Sequence, residues 1–85
     1  MSDLTNVRRK WVIYIVEIVK INSEFITLGQ LLKLENIVES GGMAKTFLAD
    51  YKILINEQQD QRRGRKLYSG DVVQIEAVGK FKIMT

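Results

Sequence analysis

Four cations crowd into five residues of this chain: Arg62, Arg63, Arg65 and Lys66, set around Gly64. An arginine presents a planar fork of N–H donors that matches a phosphate, and a glycine among arginines lets backbone come close to a ligand. The chemistry offered is anion binding. Residues 61–85 carry six cations, the four above with Lys80 and Lys82, against only Asp71 and Glu76. Residues 27–60 have the opposite bias, with Lys33, Lys45 and Lys52 against Glu35, Glu39, Asp50, Glu57 and Asp60. The formal net charge of +3 therefore hides a basic last third. Such focusing suits a polyanionic partner, although a solvated surface turn would look the same from charge alone.

Other chemistry is poorly supplied. The 85 residues include no His, Cys or Pro. There is no thiolate nucleophile, no disulfide framework and no imidazole for a Ser-His couple or a metal. Gly41-Gly42 lacks the Gly-Lys-Ser/Thr that completes a phosphate-binding loop, and no dinucleotide fingerprint is present. Ser40 and Lys45 can be drawn as a Ser-Lys couple, but a helix cap and a surface cation explain them better. The reading is a non-enzyme with neither cofactor nor metal. The apolar run Trp11–Val16 is broken by Glu17 and Lys20, too short for a signal peptide or a membrane span. A cytoplasmic protein without membrane contact is expected.

The elements that must position these residues follow from spacing. Residues 1–10 are polar. Trp11–Ile21 is rich in β-branched residues and favours a strand, though Val12, Ile15, Val16 and Val19 would also mark one helix face. A short strand at Phe25-Ile26 follows. Thr27 caps a first helix whose apolar positions are Leu28, Leu31, Leu32, Leu34 and Val38, ending near Asn36. Gln30 and Lys33 share its outward face. Ser40 caps a second helix, Met43 to about Tyr51, on which Met43, Phe47 and Tyr51, with Ala44 and Leu48 beside them, form a stripe expected to pack in the core. Lys45 lies off that stripe.

The remainder reads as strands. Ile53 and Ile55 alternate with Leu54 and Asn56, and a polar turn spans Glu57–Asp60. Ser69-Gly70-Asp71 is a turn signal. Val73, Ile75 and Ala77 make one strand face, Gly79 marks a reversal, and Phe81 and Ile83 alternate with outward Lys80 and Lys82. In an extended run, Arg63 and Arg65 point to one face and Arg62 and Lys66 to the other, unless Gly64 bends the chain. The fold class is α+β: two short helices packed on a small, mostly antiparallel sheet. Tyr51, Tyr68 and Phe25 are the few candidate stacking platforms, and each is better explained by packing. Backbone and shape recognition of folded RNA is therefore favoured over reading of splayed bases.

The segments ITLGQLLKL, SGGMAK and RRGRKLYSGDVV carry a resemblance. With Ile53-Leu54-Ile55-Asn56 and Gly70-Asp71-Val72-Val73, they resemble the S-four (S4) RNA-binding domain, or alpha-L motif. The chain is most similar to its short, stand-alone bacterial YaaA-like and YbcJ-like members. The resemblance covers most of the chain after residue 24. It implies RNA binding, usually to structured ribosomal or transfer RNA, and a possible place on the ribosome. Many members carry Arg where this chain has Thr27, and again after the serine matched by Ser40, where Gly41 stands. Two helix-borne phosphate contacts are thus absent, and Glu57 stands where Gly is common.

The expected RNA-binding set is Lys33, Ser40, Lys45, Arg62, Arg63, Arg65 and Lys66. Four phosphate neutralisations give a log–log salt slope of roughly −3. Residues 1–22 are expected to form an N-terminal extension, as an added strand or arm, and 23–85 the RNA-binding domain. The alternative is a protein-interaction adaptor that uses the apolar extension.

Overall fold

The structure, a computed structural model, describes residues 15–85. The polar start and Trp11–Tyr14 lie outside the described residues. The chain runs β1 (Val16–Lys20), β2 (Phe25–Thr27), α1 (Leu28–Leu34), α2 (Gly41–Asp50), β3 (Ile53–Ile55), β4 (Gln58–Gln59), β5 (Lys66–Tyr68), β6 (Val72–Ile75) and β7 (Gly79–Met84). Five strands form one sheet in the order β1-β7-β6-β3-β4, and β2 with β5 forms a separate two-stranded ribbon. Every pairing is antiparallel except β1 with β7. This is the expected α+β architecture.

Period-two patterning builds the sheet. Val19, Ile53, Ile55, Val73, Ile75, Phe81 and Ile83 turn inward and are buried, with Leu28, Leu31, Leu32, Ala44 and Leu48 from the helices closing the same core. Within the described part of Trp11–Ile21, residues 16–20 form a strand. Of the residues that would have marked a helix face there, Val19 is buried while Ile15 and Val16 are exposed. Val19 lies opposite Ile83 in the parallel register, and the Ile21 N–H donates to the Met84 carbonyl at 2.8 Å. Residues 16–20 of the N-terminal segment thus add an edge strand, and Val19 and Ile21 belong to the one core.

Both helices begin at the expected caps. The Thr27 hydroxyl accepts from the Gln30 N–H at 3.2 Å, and Gln30 Oε1 accepts from the Thr27 N–H at 2.8 Å, a reciprocal capping box. Helix α1 ends at Leu34, before the apolar spacing does. Asn36 takes a left-handed φ of 58°, the Ile37 N–H returns to the Leu32 carbonyl at 2.9 Å, and the Asn36 N–H to that of Lys33 at 3.0 Å. That is the Schellman termination, with Asn in the position glycine usually holds. It turns Val38 into the core and leaves Leu34 exposed.

Three expectations need correction. The polar turn expected at Glu57–Asp60 is tighter and earlier: the chain reverses at Asn56-Glu57, and Gln58–Gln59 pair with Ile55 and Leu54 as β4. The Met43–Phe47–Tyr51 stripe faces the core only in part: Phe47 packs against it, while Met43 and Tyr51 do not. The helix starts at Gly41, two residues early, and the buried positions are Ala44 and Leu48; Met43 and Tyr51 are 49% and 38% exposed. Phe47 is half-buried and stacks on Tyr51 at 4.4 Å. Ala77 does not continue the β6 face. Gly79 pairs back with Ile75, so residues 76–78 form the hairpin turn, with Ala77 exposed at a φ of 67°.

Candidate nucleic-acid interface

The basic loop is the connection from β4 to β5. It does not run extended: the Arg65 N–H donates to the Arg62 carbonyl at 3.1 Å, so the chain turns at Arg63-Gly64. The simple alternation of side chains is lost. Arg62 and Arg65 converge on Asp60, while Arg63 goes to the helices. Arg62 donates to both Asp60 oxygens, from Nε at 3.0 Å and Nη2 at 2.8 Å, and its backbone N–H adds a bond at 3.1 Å. Arg65 Nη1 reaches the same carboxylate at 2.8 Å. Arg62 hydrogen bonding holds the Asp60 carboxyl well below the usual carboxylate range; burial opposes this and Arg65 reinforces it. Two of the loop's four cations therefore share one negative charge.

Arg63 has different partners. Its carbonyl accepts the Gly29 N–H at 2.9 Å, and its Nη1 donates to the Gly41 carbonyl at 3.1 Å. Beside it, the Leu28 N–H donates to the Arg65 carbonyl at 2.8 Å. The first three N–H groups of α1 are thus taken by Arg65, Arg63 and the Thr27 hydroxyl. They are groups a helix start otherwise leaves open. The loop is stitched across the start of α1 and tied by one guanidinium to the start of α2.

Lys33 and Lys45 flank Arg63. One shallow hollow is lined by Thr27, Gly29, Gln30, Lys33, Gly41, Arg63 and Gly64, and the next by Lys45, Leu48, Ala49, Gln61 and Arg63. Arg63 lines both, and no carboxylate is among the described residues lining either. Gln61 sets the second hollow: its Nε2 donates to the carbonyls of Leu48 and of Tyr51, the latter at 2.9 Å.

The seven expected residues therefore fall into separate places. Lys33, Arg63 and Lys45 lie together along the helices. Arg62 and Arg65 bracket Asp60. Ser40 caps α2, its Oγ accepting from the Met43 N–H at 3.3 Å, with the hydroxyl hydrogen still able to donate. Lys66 stands over the Phe25 ring, Nζ 4.8 Å from its centroid, on the β2–β5 ribbon. Phe25 also contacts Tyr68, with centroids 5.6 Å apart. Sequence reasoning missed Asp60, Gln61 and Gly29. Asp60 lies two residues before Arg62 and could have been read as its partner; Gln61 and Gly29 carry no local signal. Among the described residues, no three acidic, His or Cys side chains gather as for a metal, and no helix is long and apolar enough to cross a membrane.

Comparison with known proteins adds two findings. The family described as S4 domain matches residues 19–84. The chain is similar to the probable ribosome maturation protein RlbA of Bacillus subtilis (strain 168), with 54% identity over 66 residues, 78% of this chain and 93% of that protein.

Proposed function

This chain belongs to the S4 domain family, and from that premise we propose that it is a non-enzymatic RNA-binding protein of the cytoplasm that serves ribosome maturation. Its ligand is structured RNA, ribosomal RNA before transfer RNA, held through the phosphate backbone. The observation that carries this reading is the row Lys33–Arg63–Lys45 in hollows without a lining carboxylate. Arg62, Arg65, Lys66 and the Ser40 hydroxyl form its rim. Phosphates bound along this row fix orientation, and the irregular shape of folded RNA supplies selectivity. The 54% identity to a protein named for ribosome maturation supports the ribosomal assignment.

The test replaces Lys33, Lys45 and Arg63 together by Ala and titrates the purified protein with ribosomal RNA in filter binding. At about 1 kcal/mol for each charged contact, affinity falls roughly 100-fold. The log–log salt slope becomes shallower by about 2. A folded triple variant with unchanged affinity and slope removes this surface from the assignment. Exposed Ile15, Val16 and Ile18 on and beside β1 favour a second reading, a protein-interaction adaptor. Crosslinking in cells separates the two: enriched ribosomal RNA supports the first, and protein partners without enriched RNA support the second.

A further inference from the structure

We propose that Gly29 is a positioning residue for RNA binding, and that it acts only through Arg63. The proposal rests on the RNA-binding reading above. Gly29 is buried, and its backbone needs no glycine: the positive-φ glycines are Gly70 and Gly79. Alanine is the better helix former, so local propensity argues against glycine at this place in α1. What requires it is space. A Cβ on Gly29 would lie 2.7 Å from Arg63 Cγ, 3.5 Å from its Cδ and 3.4 Å from its carbonyl oxygen. No other glycine meets a neighbour nearer than 4.0 Å. The missing side chain is the slot through which the Arg63 stem crosses α1.

That path takes the Arg63 guanidinium to the Gly41 carbonyl, between Lys33 and Lys45. One of its five N–H groups is anchored there, which leaves others to meet a phosphate. Arg62 and Arg65 are held on Asp60 instead. Arg63 is therefore the loop arginine aimed into the row, and Gly29 decides that aim. In Gly29→Ala the stem must swing aside, with the charge kept but misplaced.

A double-mutant cycle on the full chain tests this, with ribosomal RNA in filter binding and a thermal melt for each variant. Arg63→Ala and Gly29→Ala are each expected to weaken binding about 10-fold and to flatten the salt slope by about 0.7. Adding Gly29→Ala to Arg63→Ala is expected to cost nothing more. Equal losses in both backgrounds would mean that Gly29 acts on the fold at large, which overturns the proposal; so would wild-type binding by Gly29→Ala. If Gly29→Ala does not fold, Arg63→Lys carries the test. It keeps the charge but lacks the fork that spans anchor and phosphate, so severalfold weaker binding at unchanged melting temperature is expected, and unchanged binding overturns the proposal. A wild-type chain that binds no RNA defeats the underlying reading, a result distinct from binding that is indifferent to Gly29.

Discussion

Asp60 sets the effective charge of the basic loop. Four cations less one carboxylate is still positive, but two guanidinium groups are spent in organising the loop. The depressed Asp60 carboxyl also makes the loop acid-labile. Its folded pKa lies below the ordinary value of about 3.9, so the unfolded chain takes up the proton first as pH falls. The stabilisation is present above pH 4 or so and is lost as pH drops through the depressed folded value. Asp60→Asn is expected to lower stability at neutral pH and to flatten the decline below about pH 4. Urea unfolding across that range checks both signs; an unaltered acid profile would show that another carboxylate governs it. Glu35 acts in the opposite sense. Burial, then its hydrogen bond and repulsion with Glu17, raises its pKa, so its protonation favours the folded state.

At the scale of elements, the β3–β4 hairpin turns on Asn56 and Glu57, whose φ values of 52° and 70° are both left-handed. Asn56 suits this, and its side chain is further engaged by Asp71 and by the Val72 N–H, each at 3.0 Å. Glu57 does not, since an L side chain there costs about 1–2 kcal/mol. Glu57→Gly is expected to stabilise the protein by roughly 0.5–1 kcal/mol after the entropy cost of glycine. A higher urea midpoint at unchanged slope would show it, and a lower midpoint would mean that Glu57 makes a compensating contact. Both helix caps, the Ser69-Gly70-Asp71 turn and the alternation of the longer strands were legible because each is set by neighbours within a few residues. The inner face of α2 was legible in part: Ala44 and Leu48 beside the stripe are the buried positions, and of the stripe itself Phe47 packs against the core while Met43 and Tyr51 stay exposed.

For the whole molecule, β1 is the element whose removal matters. Val19 and Ile21 are buried in the common core, and burying each contributes about 1.5–3 kcal/mol. A domain of this length has a total stability of only about 5–10 kcal/mol. Deleting residues 1–22 also strips β7 of its parallel neighbour and leaves Phe81 and Ile83 with less cover. The 23–85 chain is expected to be largely unfolded at 25 °C, and a 15–85 chain, which keeps β1, is expected to melt cooperatively at a higher temperature. Circular dichroism melts of the two decide it, and a cooperative melt of 23–85 near that of 15–85 would make β1 an accessory strand.

The amino-acid sequence by itself determined what is local: the absence of histidine and cysteine chemistry, the caps at Thr27 and Ser40, strand periodicity, and a cationic loop suited to phosphate. Family resemblance extended this to an S4 domain. Only the tertiary structure decided how the cations are used. Arg62, Arg63 and Arg65 look alike in sequence, yet a turn at Gly64 sends two to Asp60 and one across Gly29 toward Lys33 and Lys45. A charge's partners depend on distances between elements far apart in the chain, and those distances exist only once α1, α2 and the loop have packed.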